Sequence, residues 1–154
     1  MSNARADRSK LCAMADNDSI RVGNAPKPVG AYPHAKRVGD LLFLSGIGPR
    51  DAGGGIPGVK LDDTGAVSTY DIEAQCHAVF ANVRTVLEAA GASWSDLVDI
   101  TVFLTDIDAD FGTYNRIYAE YFSADGPCRT TVEVNRLPTP IAIELKCIAR
   151  IGDQ

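Results

Sequence analysis

Histidine is scarce in this chain: only His34 and His77 occur among 154 residues. That leaves thin material for a Ser-His-Asp site. No HExxH, no GxSxG and no dinucleotide-binding fingerprint at a strand-to-helix turn is present, which removes the commonest protease, esterase and NAD-dependent readings. The four cysteines, Cys12, Cys76, Cys128 and Cys147, include no CxxC pair and match no zinc spacing. They read as reduced thiols of a cytoplasmic protein, mostly core or interface filler. Basic charge is also short, with a formal net charge of −5. A nucleic-acid binder needs clustered Lys and Arg, so nucleic acid is not an expected partner. No apolar run approaches a membrane span, so no membrane partner is expected either. The stretch Leu11 to Ala15 is too short for a signal-peptide core and runs directly into Asp16–Ser19.

What is present is the profile of a globular protein, 45% hydrophobic and 23% charged, long enough for one domain with a real core. Residues 1–18 read as a flexible tail and 19–154 as the domain. Val29 to Gly46 reads as a hairpin turning at Gly39-Asp40, its second strand Leu41-Leu42-Phe43-Leu44 running into Ser45-Gly46. From Ile47 to Ser68 the chain is loop-like and rich in glycine, without the Lys and Ser/Thr of a phosphate loop. Ser68 followed by Asp71 resembles a capping box. Ile72, Cys76, Val79, Phe80, Val83, Val86, Leu87 and Ala90 then trace one helical face that stops at Gly91. Cys76 on that face is core packing, and His77 off it is a solvated surface histidine.

Leu97 to Thr105 alternates as a strand with Val98, Ile100, Val102 and Leu104 on one side. Asp110 caps a second helix carrying Phe111, Tyr114, Tyr118, Tyr121 and Phe122. Asn115 shares a face with Phe111, Tyr118 and Phe122 and, once buried, must find a partner in the fold or in a ligand. Two strands close the chain. Arg129–Asn135 alternates, and Ile141–Ile151 puts its odd positions on an apolar face with Glu144 and Lys146 opposite. The plan is α+β, a mainly antiparallel sheet with two helices on one face. The other face, part polar and part apolar, is of the kind another subunit covers.

The polar residues left at strand and loop ends are Tyr32, Ser45, Asn115, Arg129 and Glu144. Arg129 follows Gly126-Pro127-Cys128 where a loop enters a strand. A guanidinium there can grip a carboxylate two-pronged, or make a structural ion pair, for example with Glu144. Spacing alone favours the ion pair.

Several stretches resemble the RidA/YjgF family of enamine and imine deaminases. They are Pro28-Val-Gly-Ala-Tyr32, Val38 to Gly46, Asn82 to Gly91, Val102 to Asp106, Tyr118 to Phe122 and Pro127 to Pro138, with Glu144 after them. The resemblance covers residues 26–150. It implies a chorismate-mutase-like single domain, homotrimeric or possibly hexameric, with sites between subunits. It also implies hydrolysis of 2-imino acids or their enamine tautomers to 2-oxo acids and ammonia, with no cofactor and no metal. It places carboxylate binding on Arg129 and water positioning on Glu144. Ligand contacts fall to Tyr32, Ser45 and Asn115, and backbone contacts to Gly46 and Cys128. Pro33-His34, Ile47-Gly-Pro-Arg50 and Pro138 to Lys146 resemble the branch acting on 2-aminomuconate, converting it to 2-oxohex-3-enedioate (4-oxalocrotonate) in bacterial degradation of aromatics. Such a dicarboxylate needs a second anchor, expected at His34 or Arg50. The alternatives are a general 2-iminobutanoate/2-iminopropanoate deaminase and a non-enzymatic binding or RNA-acting stress protein.

Overall fold

The computed structural model describes residues 18–152. The strands are β1 (Ser19–Ile20), β2 (Ala35–Val38), β3 (Leu41–Leu44), β4 (Lys60–Leu61), β5 (Val67–Thr69), β6 (Leu97–Leu104), β7 (Cys128–Glu133) and β8 (Ile143–Arg150). The helices are α1 (Ile72–Ala89) and α2 (Ile107–Tyr121). Six strands form one sheet in the order β1-β2-β3-β8-β6-β7, and β4–β5 is a separate small hairpin. Every neighbouring pair is antiparallel except β6–β7, which is parallel because α2 carries the chain back between them. The expected α+β plan stands. The hairpin β4–β5 lies inside the segment expected to be loop throughout. The tail expected over 1–18 falls outside the described residues except for Asp18, whose carbonyl accepts from the Arg37 amide at 2.8 Å. Cys12 also lies outside them. Among the described residues no helix is long and apolar enough to cross a membrane.

The core lies between the sheet and the two helices. α1 supplies Cys76, Val79, Phe80, Val83, Val86 and Leu87, and β8 supplies Ile143, Leu145, Cys147 and Ala149. Complete burial of an aliphatic side chain is worth about 1.5–3 kcal/mol relative to leaving it exposed. Burial pushes the thiols of Cys76 and Cys147 up to about 12, so both are inert filler. Among the described residues, Cys128 is the exposed thiol. Phe80 joins the helices through an aromatic cluster with Trp94, Tyr118, Tyr121 and Phe122.

Helix starts were harder to read than helix faces. α1 is capped by Asp71, whose side chain accepts from the Ala74 amide at 3.0 Å, while Ser68 belongs to β5. At its other end the amides of Gly91 and Ala92 bond to Glu88 and Leu87 carbonyls, and Gly91 takes a positive φ of 74°. That is a Schellman stop, which glycine adopts without strain. α2 is capped by Asp106, not Asp110. Asp106, Asp108 and Asp110 are spaced so that each looks like a cap in sequence. Glu133 of β7 also accepts from the Ile107 amide at 2.8 Å, which fixes α2 to the sheet edge. Asp110 is buried in the first turns of α2 and accepts from the Tyr70 hydroxyl at 2.8 Å. His77 is half-buried, not solvated, with Nδ1 at 2.7 Å from the Tyr121 hydroxyl. Val98 is 40% exposed because the β6–β8 register slips between Leu97 and Asp99, which breaks the expected alternation.

Burial holds the Asp110 carboxyl above its ordinary value of 3.8. A carboxyl whose pKa rises on folding costs stability as pH climbs from the unfolded value through the folded one. Asp110→Asn keeps an acceptor for Tyr70 and is expected to flatten that fall, read by urea unfolding across the acid range. An unchanged slope would place its source elsewhere.

Candidate active site

The site begins with the alternation of β8. Its odd residues are buried under the helices, so Glu144 and Lys146 project to the opposite, open face of the sheet. Beside them the sheet is interrupted. Phe43 pairs with Ile148 and Ile47 pairs with Leu145, so Leu44, Ser45 and Gly46 face only Lys146 and Cys147. This extra residue is a β-bulge, a feature that re-aims side chains and frees backbone groups. The Lys146 ammonium donates to the Leu44 carbonyl beside the bulge. Glu144 lies directly against Gly46, and a Cβ at position 46 would overlap its carboxylate.

An open cleft of about 460 Å³ lies over this point, lined by Tyr32, Ser45, Gly46, Arg50, Glu144 and Lys146 among others. Burial raises the Glu144 pKa from its ordinary 4.5, and the Arg50 charge partly opposes the rise. A carboxylate so placed is a better base near neutral pH than a free glutamate. Arg50 reaches the cleft from a loop that α1 holds in place. Asn82 of α1 donates to the carbonyls of Gly48 at 2.9 Å and Arg50 at 2.7 Å. Ser45 donates its hydroxyl to the Pro33 carbonyl at 2.7 Å, leaving its oxygen as an acceptor. The Tyr32 hydroxyl accepts from the Val29 amide at 3.3 Å.

His34 faces an adjoining, partly open cavity of about 40 Å³. Its Nδ1 accepts from the Val22 amide at 3.1 Å, which leaves Nε2 to carry the proton and donate to the Pro26 carbonyl at 2.9 Å. Both ring nitrogens are therefore occupied by backbone. His34 fastens the 22–34 segment, which carries Tyr32, and has no free donor for a substrate carboxylate.

Arg129 is elsewhere. It pairs with Ile100 across β6–β7, whereas Glu144 pairs with Phe103 across β6–β8. Residues three apart on one strand project to opposite faces, so Arg129 lies on the helix side of the sheet and Glu144 on the open side. The two do not pair, and the structural ion pair is ruled out. The Arg129 guanidinium instead sits 4.5 Å from the centre of the Tyr118 ring, 5.6 Å from Tyr114 and 5.9 Å from Phe111. Its Nη2 donates to Asn115 at 3.0 Å. Asn115 is exposed, not buried, because the core stripe of α2 is Asp110, Tyr114 and Ile117. Arg129 has no carboxylate within 4 Å among the described residues, and neither do Arg50 and Lys146. Exposed Cys128 stands next to Arg129 on the same edge strand. Lys146 was missed in sequence, although its place on the Glu144 face of β8 was legible.

The family model described as Endoribonuclease L-PSP matches residues 22–151. The chain belongs to this RidA/YjgF family. A RutC family protein of Pyrococcus horikoshii is 41% identical over 126 residues, covering 82% of this chain and 91% of that one. The Salmonella typhimurium protein named 2-iminobutanoate/2-iminopropanoate deaminase is 37% identical over 134 residues, covering 85% and 95%. Among solved structures, RidA from an Antarctic Psychrobacter superposes with a TM-score of 0.75 at 30% identity, covering 88% of this chain and all of its own. This RidA-family chain thus has relatives named as deaminases.

Two expectations follow from the geometry. Gly46→Ala displaces the Glu144 carboxylate, so deaminase activity is expected to drop by at least about tenfold, the scale of a misplaced catalytic group. The far-UV spectrum should be retained; full activity would show that the contact does not matter. Arg50→Gln removes the charge that holds the Glu144 pKa down, so the acid limb of the rate–pH profile should move to higher pH. A limb that stays put would separate Arg50 from Glu144.

Proposed function

We propose that this protein is a cofactor-independent deaminase that hydrolyses 2-aminomuconate to 2-oxohex-3-enedioate and ammonia, at sites formed between copies of the chain in a homotrimer. One observation carries the reading. Among the described residues neither Arg129 nor Glu144 has an ion-pair partner within 4 Å, and the two lie on opposite faces of one sheet, so a site using both needs a second copy. The half-buried open face around Glu144 and the exposed edge at Arg129 are surfaces that copies can bring together.

The chemistry asks mainly for positioning. 2-Aminomuconate is an enamine with a carboxylate at each end. Protonation on carbon gives the iminium, whose C2 is electrophilic enough for water to add. Arg129 holds the C1 carboxylate with two parallel N–H donors, pre-oriented by Asn115 and the Tyr118 ring. Glu144 orients the water and takes its proton as the C–O bond forms. Backbone groups at Gly46 and Cys128 hold the nitrogen. Glu144 passes that proton to the carbinolamine nitrogen, ammonia leaves, and the hydroxyl proton returns to Glu144 as the C=O of the 2-oxo acid forms. Arg50 holds the distal carboxylate, since His34 is committed to backbone.

A general 2-imino acid deaminase is the second reading, favoured by the name of the Salmonella relative. Rates on 2-aminomuconate and on 2-aminoacrylate generated in situ separate the two. The family's endoribonuclease description is served less well by this molecule. The net charge of −5 suits a small anion bound at a local site better than a phosphate backbone.

Arg129→Ala is expected to remove most activity while leaving the fold intact, since a charge-assisted hydrogen bond is worth about 1.5–3 kcal/mol before mispositioning is counted. Arg129→Ala and Glu144→Gln chains, each inactive alone, should regain a minor share of activity when refolded together. Mixed assemblies then contain some sites with both residues intact. No recovery would place the working pair within one chain.

A further inference from the structure

The cleft holds a cation that has no part in the deamination as derived above. Lys146 lies two residues from Glu144 on the same face of β8, which sets their Cα atoms about 6.6 Å apart. It lines the same cleft as Arg50 and Glu144 and is only partly exposed. The Leu44 carbonyl at the bulge takes one of its three N–H donors. No carboxylate lies within 4 Å of it among the described residues. A partly desolvated charge held by one neutral carbonyl is under-satisfied, and an anion arriving in the cleft relieves it. Holding it at a fixed point also removes most of the ordering cost that a free lysine incurs on binding.

We infer that Lys146 is the specificity-determining residue of the site: with Arg50 it forms a second carboxylate subsite, and it makes the protein select dicarboxylic 2-imino or 2-amino-unsaturated acids over monocarboxylic ones. This rests on reading the Glu144 cleft as the deaminase site. The charges agree with it. Arg50 and Lys146 outweigh Glu144 by one positive charge within the cleft, and Arg129 brings a second, so the assembled site matches a dianion.

The test compares two ligands with the same conjugated six-carbon chain, muconate with two carboxylates and sorbate with one. Binding of each to the full-length protein is measured by calorimetry. The wild type is expected to prefer muconate by about tenfold or more, a difference of about 1.4 kcal/mol. Lys146→Gln should collapse that ratio and Lys146→Arg should largely keep it. A wild type without preference, or a Lys146→Gln that weakens both ligands equally, overturns the assignment. Parallel assays on 2-aminomuconate and 2-iminobutanoate keep the two readings apart. If neither is hydrolysed but the muconate preference depends on Lys146, the deaminase reading fails and the subsite stands. If both are hydrolysed with no such dependence, the subsite fails and the deaminase stands.

Discussion

Side chains along an extended strand alternate, and in β8 that rule decides where everything else goes. Its odd residues must enter the core because both helices lie on that side. The same residues therefore commit Glu144 and Lys146 to the other side, with no freedom to relax toward the helices. Through the β6 register the rule also sends Arg129 to the helix side, at the edge of the sheet. Arg129 and Glu144 are thus kept apart inside one chain, each on its own face of the sheet.

Local devices then sharpen each half. On the open side the bulge after β3 bares Gly46, lets Glu144 lie against backbone and frees a carbonyl for Lys146. Asn82 holds the Arg50 loop from behind. On the helix side α2 offers Arg129 aromatic faces and an amide oxygen, none of which cancels its charge. Neutral partners orient a cation without lowering its appetite for an anion. His34 belongs to this supporting set: it fastens the segment bearing Tyr32, with both ring nitrogens bonded to backbone.

The parts legible in sequence are those governed by strong periodicity. The odd face of Ile143–Arg150, the core stripe of α1 and the stop at Gly91 all follow from spacing alone. The errors share a cause: each depended on a partner distant in sequence. Asp110 looks like a helix cap until the Tyr70 hydroxyl is seen to reach it. His77 looks solvated until Tyr121 lies beside it. Asn115 looks buried beside Tyr118 until Arg129 is found on the rim. Val98 fails because a register slip belongs to the pairing of two strands and leaves no mark on either. The bulge opposite Lys146 is invisible for the same reason, and so the cation it positions was overlooked.

The close approach of Glu144 to Gly46 has a consequence for heredity. Neither position can drift independently. A side chain gained at 46 pushes the Glu144 carboxylate aside, and a shorter acid at 144 makes room for it only by drawing the carboxylate back from the cleft. The pair therefore forms an epistatic lock, in which each single step is penalised and the double step still loses reach.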